Sequence, residues 1–185
     1  MRIISGYLKG KKIELPTDSK TRPLRDLVKE SIFNILKHSN KINCKIENAE
    51  VLDLFSGSGS FGLECVSRGA KKVFFVENYN EALKILRINI KNLKCENSSI
   101  IIENDCFQID EIVKKFKNKF DIIFLDPPFK EDKVNFIIEK ILNFKILKNE
   151  GVMIVHRNKK EDKITKKFNL IENRAYGISK IIFGN

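Results

Sequence analysis

The chain has 185 residues, of which 42% are hydrophobic and 32% charged, a composition typical of one folded domain with a sizeable core. No apolar run reaches the roughly 18 residues that cross a bilayer, and the N-terminus lacks an apolar segment followed by a small-residue cleavage site. The four cysteines, Cys44, Cys65, Cys95 and Cys106, form no CxxC pair, so neither a zinc site nor a disulfide framework is predicted. We therefore expect a cytoplasmic protein with free thiols, no membrane segment and no metal.

The positive charge favours a polyanionic partner such as nucleic acid, because the formal net charge is +11. Lysine is abundant along the whole chain, so only the placement of the charge is informative. Arg2, Lys9, Lys11 and Lys12 lie in the first dozen residues without an acid among them. This segment is the predicted basic arm.

The elements that follow can be predicted in chain order. β-Prone residues around two glycines indicate a short hairpin or extended arm up to about residue 20. Apolar residues at helical spacing predict a helix over residues 21–39, with Pro23 in its first turn and Lys29 and Glu30 on its solvated face. Strands are then predicted over 49–55, 71–77, 98–105, 120–126 and 151–157, and helices over 60–69, 80–93, about 107–117 and 132–144. Two last strands would meet at a turn near Gly177.

This alternation of strands and helices is typical of an α/β fold with a mostly parallel sheet and helices on both faces. The continuous apolar runs fit strands buried on both sides. The final strand pair would add an antiparallel edge, which makes seven strands. We expect residues 1–45 to form the arm and first helix on the substrate side, and residues 46–185 to form the catalytic domain.

A glycine-rich turn follows the first predicted strand. In the stretch DLFSGSGSFGLE, Gly57, Gly59 and Gly62 form a GxGxxG pattern between a strand and a helix. Glycine there lets backbone N–H groups approach a ligand. The pattern by itself fits a dinucleotide site or a plain tight turn. Because the turn begins with an acid, Asp53, it favours a ligand with a cationic amino-acid end and no phosphate, such as S-adenosylmethionine.

Two further acids end neighbouring strands. Glu77 closes the second predicted strand, where a carboxylate would accept hydrogen bonds from ribose hydroxyls. Asp105 follows the third, where it could accept from an adenine amino group while the Cys106 N–H meets a ring nitrogen. Asp105 also fits an ordinary helix N-cap. Only its position at the end of this strand favours the binding role.

The stretch DIIFLDPPF ends an apolar strand in an acid, two prolines and an aromatic ring. The Asp126 carboxylate and the Pro127 carbonyl could each accept an N–H of a planar amine, while Pro127 and Pro128 stiffen the turn. Phe129 could stack on a base, a contact worth about 1–3 kcal/mol. A turn followed by a core phenylalanine is the simpler reading. Together with the acids at the other strand ends, the stretch favours methyl transfer to an amino nitrogen.

The chain resembles the RsmD family, bacterial S-adenosylmethionine-dependent enzymes that methylate guanine N2 in small-subunit (16S) ribosomal RNA. The resemblance is carried by RIISGYLKGKKIELP, TRPLRDLVKESIFNIL, VLDLFSGSGSFGLECVSRGAKKVFFVE and DIIFLDPPF, which cover most of residues 1–130. The arm and the TRP helix are its specific part, because the glycine turn and DPPF are shared by many methyltransferases. The resemblance implies a Rossmann-like class I methyltransferase fold.

The resemblance also implies roles for individual positions. Asp53 and the loop of Phe55, Ser56, Gly57, Ser58 and Gly59 would hold the methionine part of the cofactor, Glu77 the ribose, Asp105 with Cys106 the adenine, and Asp126, Pro127, Pro128 and Phe129 the flipped guanine. Arg22 and Arg25 would take phosphates or the base, unless they belong to an ordinary solvated helix face. The arm residues Arg2, Lys9, Lys11 and Lys12 would attract the RNA backbone.

His156 stands where we expect a glutamate in relatives, and a neutral or surface histidine is the expectation there. The partner would be 16S ribosomal RNA or an assembling small ribosomal subunit, and the protein would be a monomer.

Three other functions account for parts of the pattern. A methyltransferase of the same fold acting on adenine N6 in DNA, or on a glutamine side chain, would also use DPPF, but the arm and the lack of a target-recognition domain disfavour it. A nicotinamide-dependent oxidoreductase would explain GxGxxG and Glu77 and leave DPPF unexplained. A non-catalytic RNA-binding assembly factor would explain the arm and leave the cofactor pocket unexplained.

Overall fold

The computed structural model describes residues 1–18, 24–114, 116, 119–160 and 164–185. The helices in these ranges are α1 (Asp26–His38), α2 (Ser60–Ser67), α3 (Asn80–Asn92), α4 (Ile109–Lys114) and α5 (Val134–Phe144). The strands are β1 (Glu50–Leu54), β2 (Lys72–Glu77), β3 (Ser99–Glu103), β4 (Phe120–Leu125), β5 (Leu147–Asn158), β6 (Leu170–Tyr176) and β7 (Ser179–Gly184). None of the described helices is long and apolar enough to span a membrane.

The predicted elements are confirmed, with shifted ends. β5 begins at Leu147 rather than at residue 151. The helix expected over about 107–117 consists of a 3-10 turn, Cys106–Gln108, followed by α4. α1 begins at Asp26, and the predicted position of Pro23 lies outside the described residues.

The strand order of the sheet is β3-β2-β1-β4-β5-β7-β6. β1 to β5 pair in parallel, and β7 is antiparallel to both β5 and β6. β6 and β7 are joined by a turn in which Gly177 has a φ of 59°. The mostly parallel sheet with an antiparallel edge is therefore confirmed.

Alternate residues of the central strands pack on opposite faces of the sheet. On β4, Ile122 and Phe124 join the apolar cluster of α1, α2 and α3, whereas Ile123 and Leu125 join that of α4 and α5. Both faces are apolar because helices cover both. The period of two places Asp53, after β1 residue Val51, on the α1–α3 side. Asp126 continues the β4 series on that same side.

The N-terminal arm, residues 1–14, is a hairpin that lies along α2. Arg2 and Lys12 face each other in an antiparallel bridge. The first limb begins where Met1 Sδ accepts a hydrogen bond from Ser60 Oγ at 2.9 Å, and it ends beside Ser67, the last residue of α2. The second limb returns toward the start of α2. The hairpin prediction is confirmed.

The arm shares the core of the sheet. Ile3, Leu8 and Ile13 are buried in the apolar cluster that also contains the buried residues of α1, α2 and α3. Burial of such side chains contributes about 1.5–3 kcal/mol each to stability. The division of the chain at residue 45 stays a prediction.

Glu64 on α2 anchors the arm, and its side chain is wholly buried. Its Oε2 accepts from the Ile4 N–H at 2.7 Å and its Oε1 from the Ser5 N–H at 2.9 Å. Arg68 Nε, one helical turn later, donates to Oε1 at 2.8 Å. Buried carboxylates are stable only with such donors.

Lys29 on α1 completes this network. The expectation that it faces solvent is wrong, because the arm covers this side of α1 and leaves Lys29 fully buried, whereas Glu30 is exposed. Lys29 Nζ donates to the Arg2 carbonyl at 2.9 Å and lies 3.8 Å from Glu64 Oε2. Burial lowers the pKa of Lys29, and the attraction of Glu64 opposes that effect.

We expect Glu64→Gln to lower the free energy of unfolding by about 3 kcal/mol, because it removes the buried carboxylate that faces Lys29 and Arg68 and leaves Lys29 only the exposed Asp26 as a counter-charge. Urea unfolding measures the change. The control is Glu103→Gln, which breaks an exposed ion pair with Arg87 and should cost less than about 1 kcal/mol. Equal effects of the two changes would contradict the anchoring role of Glu64.

Candidate active site

The carboxyl ends of the central strands open into a cavity of about 500 Å³. This is the edge where ligands bind in doubly wound sheets. The cavity is lined by predicted site residues: Asp53, Phe55, Ser56, Gly57, Ser58, Glu77, Asp105, Asp126, Pro127, Pro128 and Phe129. The predicted Gly59 and Cys106 are buried behind this surface. Pro16, Leu24 and Tyr79 also line it, and the sequence did not indicate them.

The turn after β1 has a backbone that most residues disfavour. Phe55 has a φ of 60° and Gly59 a φ of 82°, both in the left-handed region. A Cβ on Gly59 would lie 2.5 Å from Leu86 Cδ1, and one on Gly62 would lie 2.3 Å from Phe75 Cε1. The second and third glycines therefore let the turn and α2 pack closely on α3 and β2.

Asp53 lies at the base of the cavity with 1% of its surface exposed. Its Oδ2 accepts from the Gly62 N–H at 3.0 Å. Burial raises the pKa of Asp53 well above its ordinary value of 3.8, the Gly62 N–H opposes the rise, and the charges of Asp126 and Glu77 add to it. Among the described residues, no lysine or arginine lines the cavity beside this carboxylate, so a ligand could supply a positive charge there.

Glu77 connects β2 to the glycine-rich turn. Its Oε2 accepts from the Gly57 N–H at 2.8 Å. Its Oε1 accepts from the N–H groups of Asn78 and Tyr79, each at 2.9 Å. These donors fix the carboxylate at the strand end, beside the cavity.

Asp105 is the N-cap of the 3-10 turn, because its Oδ1 accepts from the Phe107 N–H at 2.9 Å. The capping interpretation is therefore confirmed, and the adenine role stays a prediction. The Cys106 thiol supports the loop instead of facing the cavity, since its Sγ accepts from the Phe55 N–H at 3.2 Å. Burial raises the pKa of this thiol. All four cysteines are free and buried, as expected for free thiols.

Asp126 and the prolines form the far wall of the cavity. The Pro128 carbonyl accepts from the Glu131 N–H at 2.9 Å, and the acceptor role predicted for the Pro127 carbonyl stays a prediction. The Asp126 side chain is 16% exposed. Its Oδ1 lies 2.7 Å from His156 Nδ1.

His156 is therefore a residue beside the cavity to which the sequence assigned no role. Of the two expectations for it, a neutral or a surface histidine, the surface position is wrong. The side chain is 3% exposed, and its strand β5 lies inside the sheet between β4 and β7. The pairing of β4 with β5 was the signal that could have found it. Leu125 pairs with Val155, so the next residues of the two strands, Asp126 and His156, stand side by side.

Asn89 on α3 is a second residue that the sequence did not indicate. Its Nδ2 donates to the carbonyls of Glu14 and Ser58, at 3.0 and 2.9 Å, and its Oδ1 accepts from the Glu14 N–H at 2.8 Å. Asn89 is 1% exposed. One buried amide thus joins the arm to the glycine-rich turn.

The predicted basic residues differ in their surroundings. Arg2, Lys9 and Lys11 are exposed on the arm, whereas Lys12 pairs with Glu14 at 2.9 Å, an acid just beyond the first dozen residues. Arg25, at the N-cap of α1, is also exposed. Arg22 lies outside the described residues.

The charge of the cavity is uniformly negative. Five carboxylates line it, and no lysine or arginine does so within the described ranges. The described chain also contains no group of three or more His, Cys, Asp or Glu side chains arranged to hold a metal ion. The lining therefore suits an organic cation better than a phosphate.

The sheet order, the glycine turn and the acids at the strand ends define a Rossmann-like class I methyltransferase fold. A solved structure of a candidate methylase from Haemophilus influenzae has a TM-score of 0.77 and 31% identity, and the match covers 99% of this chain and 96% of that one. A candidate methyltransferase from Escherichia coli has a TM-score of 0.83 at 24% identity, with 100% and 96% covered, which supports the fold alone.

The chain belongs to the family described as Conserved hypothetical protein 95, the RsmD family, whose model matches residues 1–185. The family resemblance seen in the sequence is thereby confirmed. A relative from Haemophilus influenzae named ribosomal RNA small subunit methyltransferase D is 33% identical over 181 residues, which are 96% of this chain and 90% of that protein. A relative of the same name from Buchnera aphidicola is 34% identical over 166 residues, with 89% and 82% covered.

We expect Asp53→Asn to raise the free energy of unfolding at about pH 7. At that pH the native protein must either hold a buried charge or keep a proton that the unfolded chain releases, and asparagine avoids this cost. Its side-chain oxygen can still accept from Gly62. The stability gained over the wild type should shrink as the pH falls toward 3.8, because below that value the carboxyl is protonated in the folded and the unfolded state.

Urea unfolding of both proteins between about pH 4 and pH 7 measures this difference. Glu150→Gln, at an exposed acid, is the control and should show a smaller change with pH. A stability gain from Asp53→Asn that grows on acidification would contradict the burial argument.

Proposed function

We propose that this protein transfers a methyl group from S-adenosylmethionine to the exocyclic N2 of a guanine in small-subunit (16S) ribosomal RNA. The observation that carries the proposal is the acid-lined cavity at the carboxyl edge of the sheet, with Asp126 of the DPPF stretch on its wall. We propose further that the enzyme acts as a cytoplasmic monomer on ribosomal RNA or an assembling small subunit.

The charge of the cavity supports this cofactor over a dinucleotide. S-adenosylmethionine carries an ammonium and a sulfonium group, whereas a nicotinamide dinucleotide carries a pyrophosphate. Five carboxylates without an opposing lysine or arginine in the described lining would attract the first ligand and repel the second. Asp53 is suited to the ammonium group, because a cation beside it would stabilise its buried charge. The predicted ribose and adenine positions, Glu77 and Asp105, line the same cavity.

When bound, the cofactor supplies an electrophilic methyl group. The Asp126 carboxylate and the Pro127 carbonyl would accept the two N–H bonds of the guanine amino group, and Phe129 would stack on the base. Two acceptors orient the amine and counter the delocalisation of its lone pair into the ring. Orientation of this kind is a major source of rate enhancement. Asp126, partly exposed to solvent, could then take the proton that the nitrogen loses.

The RNA substrate is supported by the names of the relatives and by the exposed arm. Arg2 and Lys12 face each other, near the end of α2 that borders the cavity, whereas Lys9 lies at the hairpin turn. An eight-residue helix spans about 12 Å, so the arm could follow RNA for that distance from the site. Such lysines attract phosphates without reading sequence.

The competing functions explain fewer features of the cavity and of the relatives. An oxidoreductase binding a dinucleotide would place a pyrophosphate among the carboxylates of the cavity. Methylation of DNA adenine or of glutamine has no support among the names of the family relatives given above. A non-catalytic assembly factor would not need a cavity in which backbone N–H groups hold the carboxylates of Glu77 and the buried Asp53.

The decisive experiment incubates the protein and labelled S-adenosylmethionine with 16S ribosomal RNA and with partly assembled small subunits. Mass spectrometry then maps the modified nucleotide. We expect N2-methylguanine at one position. Label on adenine, or none on either substrate, would overturn the proposal.

We expect Asp126→Ala to reduce methyl transfer by more than about 100-fold while cofactor binding persists, because the change removes the acceptor for the amine. Single-turnover methylation and calorimetry with S-adenosylmethionine measure the two effects. The control is Asp132→Ala, at an exposed acid six positions later, which should leave both unchanged. Undiminished turnover in Asp126→Ala would remove this residue from the reaction.

We expect replacement of Lys9, Lys11 and Lys12 by glutamine to flatten the salt dependence of RNA binding. Each lost phosphate contact should lower the slope of log affinity against log salt by about 0.7–0.9. The control replaces Lys45, Lys71 and Lys145, three exposed lysines near the opposite, amino-terminal edge of the sheet. It removes the same charge, so equal slopes for the two variants would exclude a specific role of the arm.

A further inference from the structure

The two prolines of the DPPF stretch deprive Asp126 of its usual local support. An aspartate at a turn commonly accepts a hydrogen bond from the backbone N–H two residues later. Here the next two residues are Pro127 and Pro128, and neither has an N–H to donate. The donor that usually orients such a carboxylate is therefore missing, and a donor from elsewhere in the fold can take its place.

His156 supplies that donor. Its Nδ1 lies 2.7 Å from Asp126 Oδ1, at the position next to Asp126 on the neighbouring strand β5. The imidazole does not line the cavity, whereas Asp126 and Phe129 do. The histidine thus holds the carboxylate from behind and leaves the cavity side open.

The same imidazole contacts the stacking residue. The rings of His156 and Phe129 meet edge to face, with centroids 5.2 Å apart and an interplanar angle of 75°. Edge-to-face pairs of this kind are a preferred geometry for aromatic rings. One side chain therefore touches both the acceptor and the aromatic ring proposed to hold the substrate base.

The hydrogen bonds of the ring indicate its tautomer. An ionised carboxylate only accepts, so the proton of the Asp126 contact belongs to His156 Nδ1. His156 Nε2 is buried and has no hydrogen-bond partner among the residues that the structure describes. A neutral ring protonated at Nδ1 leaves only a lone pair unsatisfied at Nε2, whereas a proton there would be a buried donor without an acceptor.

We propose that His156 is a positioning residue of the substrate-amine site: its Nδ1–H holds Asp126 Oδ1 so that Oδ2 faces the amine, and its ring holds Phe129. This inference rests on the proposed function, because it concerns the site where the amine would bind. His156 acts through Asp126 and Phe129 and does not itself touch the substrate.

Three substitutions at His156 test the role of the Nδ1–H. Asparagine places an amide N–H donor at the position of Nδ1, glutamine places one nearer to Nε2, and leucine has none. We expect kcat to fall about 10- to 100-fold in His156→Leu and His156→Gln, as for loss of a hydrogen bond to a charged group. His156→Asn should recover kcat to within about 3-fold of the wild type.

The affinity for S-adenosylmethionine, measured by calorimetry, separates positioning from misfolding. We expect it to be unchanged in all three variants, because His156 does not line the cavity. His38→Gln is the matched control, since His38 is the other of the two histidines and lies exposed at the end of α1. It should leave kcat and cofactor affinity unchanged. Equal kcat in the leucine variant and the wild type, or no recovery in the asparagine variant, would overturn the proposal.

The tautomer of His156 can be measured by NMR without a methylation assay. In a ¹⁵N-labelled protein carrying His38→Gln, one imidazole remains, and long-range ¹H–¹⁵N correlation at mildly alkaline pH shows which nitrogen is protonated. We expect protonated Nδ1 in the wild-type background and a mixture of tautomers after Asp126→Ala. Protonated Nε2 in the wild-type background would refute the hydrogen bond.

These experiments distinguish an error in the positioning role of His156 from an error in the proposed function. If the protein methylates ribosomal RNA but His156→Leu turns over normally, the positioning role is wrong and the function stands. If no RNA is methylated but Nδ1 carries the proton in an Asp126-dependent way, the pair is real and the substrate assignment is wrong.

Discussion

The N–H groups of Gly62 and Gly57 donate to the carboxylates of Asp53 and Glu77, at 3.0 and 2.8 Å, and the rest of the cavity is arranged around these two contacts. Like charges at one sheet edge repel, so each carboxylate needs a fixed donor to remain there. Burial is the main cause of the raised pKa of Asp53, the charges of Asp126 and Glu77 add to it, and the Gly62 N–H opposes it. A cationic ligand would oppose it further, which links the electrostatics of the fold directly to the proposed cofactor.

The arm is tied to the same turn through α2 and α3. Glu64 and Lys29 secure its first limb with buried charges, and Asn89 joins Glu14 at its end to Ser58 in the glycine-rich turn. Breaking a buried ion pair costs far more than breaking an exposed one. The arm therefore lies against the domain as a packed hairpin, which keeps its exposed cations at a defined position relative to the cavity.

The DPPF turn is stiff, and it offers the Asp126 carboxylate no N–H donor from the next two residues. Prolines hold the chain direction after Asp126 but contribute no N–H groups to its carboxylate. In this chain a histidine from the adjacent strand lies where that donor is needed. Because its ring also contacts Phe129, the two proposed substrate-binding groups share one support. The arrangement is consistent with a site built to hold a flat base in a single orientation.

Strand and helix periodicity, the glycine turn and the acids ending β1, β2 and β4 were all readable from the sequence, because each depends on neighbouring residues in the chain. Hence the sheet and its antiparallel edge were predicted correctly, and eleven of the predicted site residues line one cavity, while their roles stay predictions. The ends of helices and strands differ from the predicted ones because they depend on capping hydrogen bonds and on strand pairing. Asp105, which caps the 3-10 turn, is an example.

The tertiary structure decided which polar residues are buried. Lys29 was expected on a solvated helix face and His156 as a neutral or surface histidine, but both side chains are buried. Asn89 carries no motif at all. Their partners lie 27 to 75 positions away in the chain, so no local pattern could reveal them. The sequence by itself determined the fold and the chemistry at the strand ends, and only long-range packing determined which side chains hold that chemistry in place.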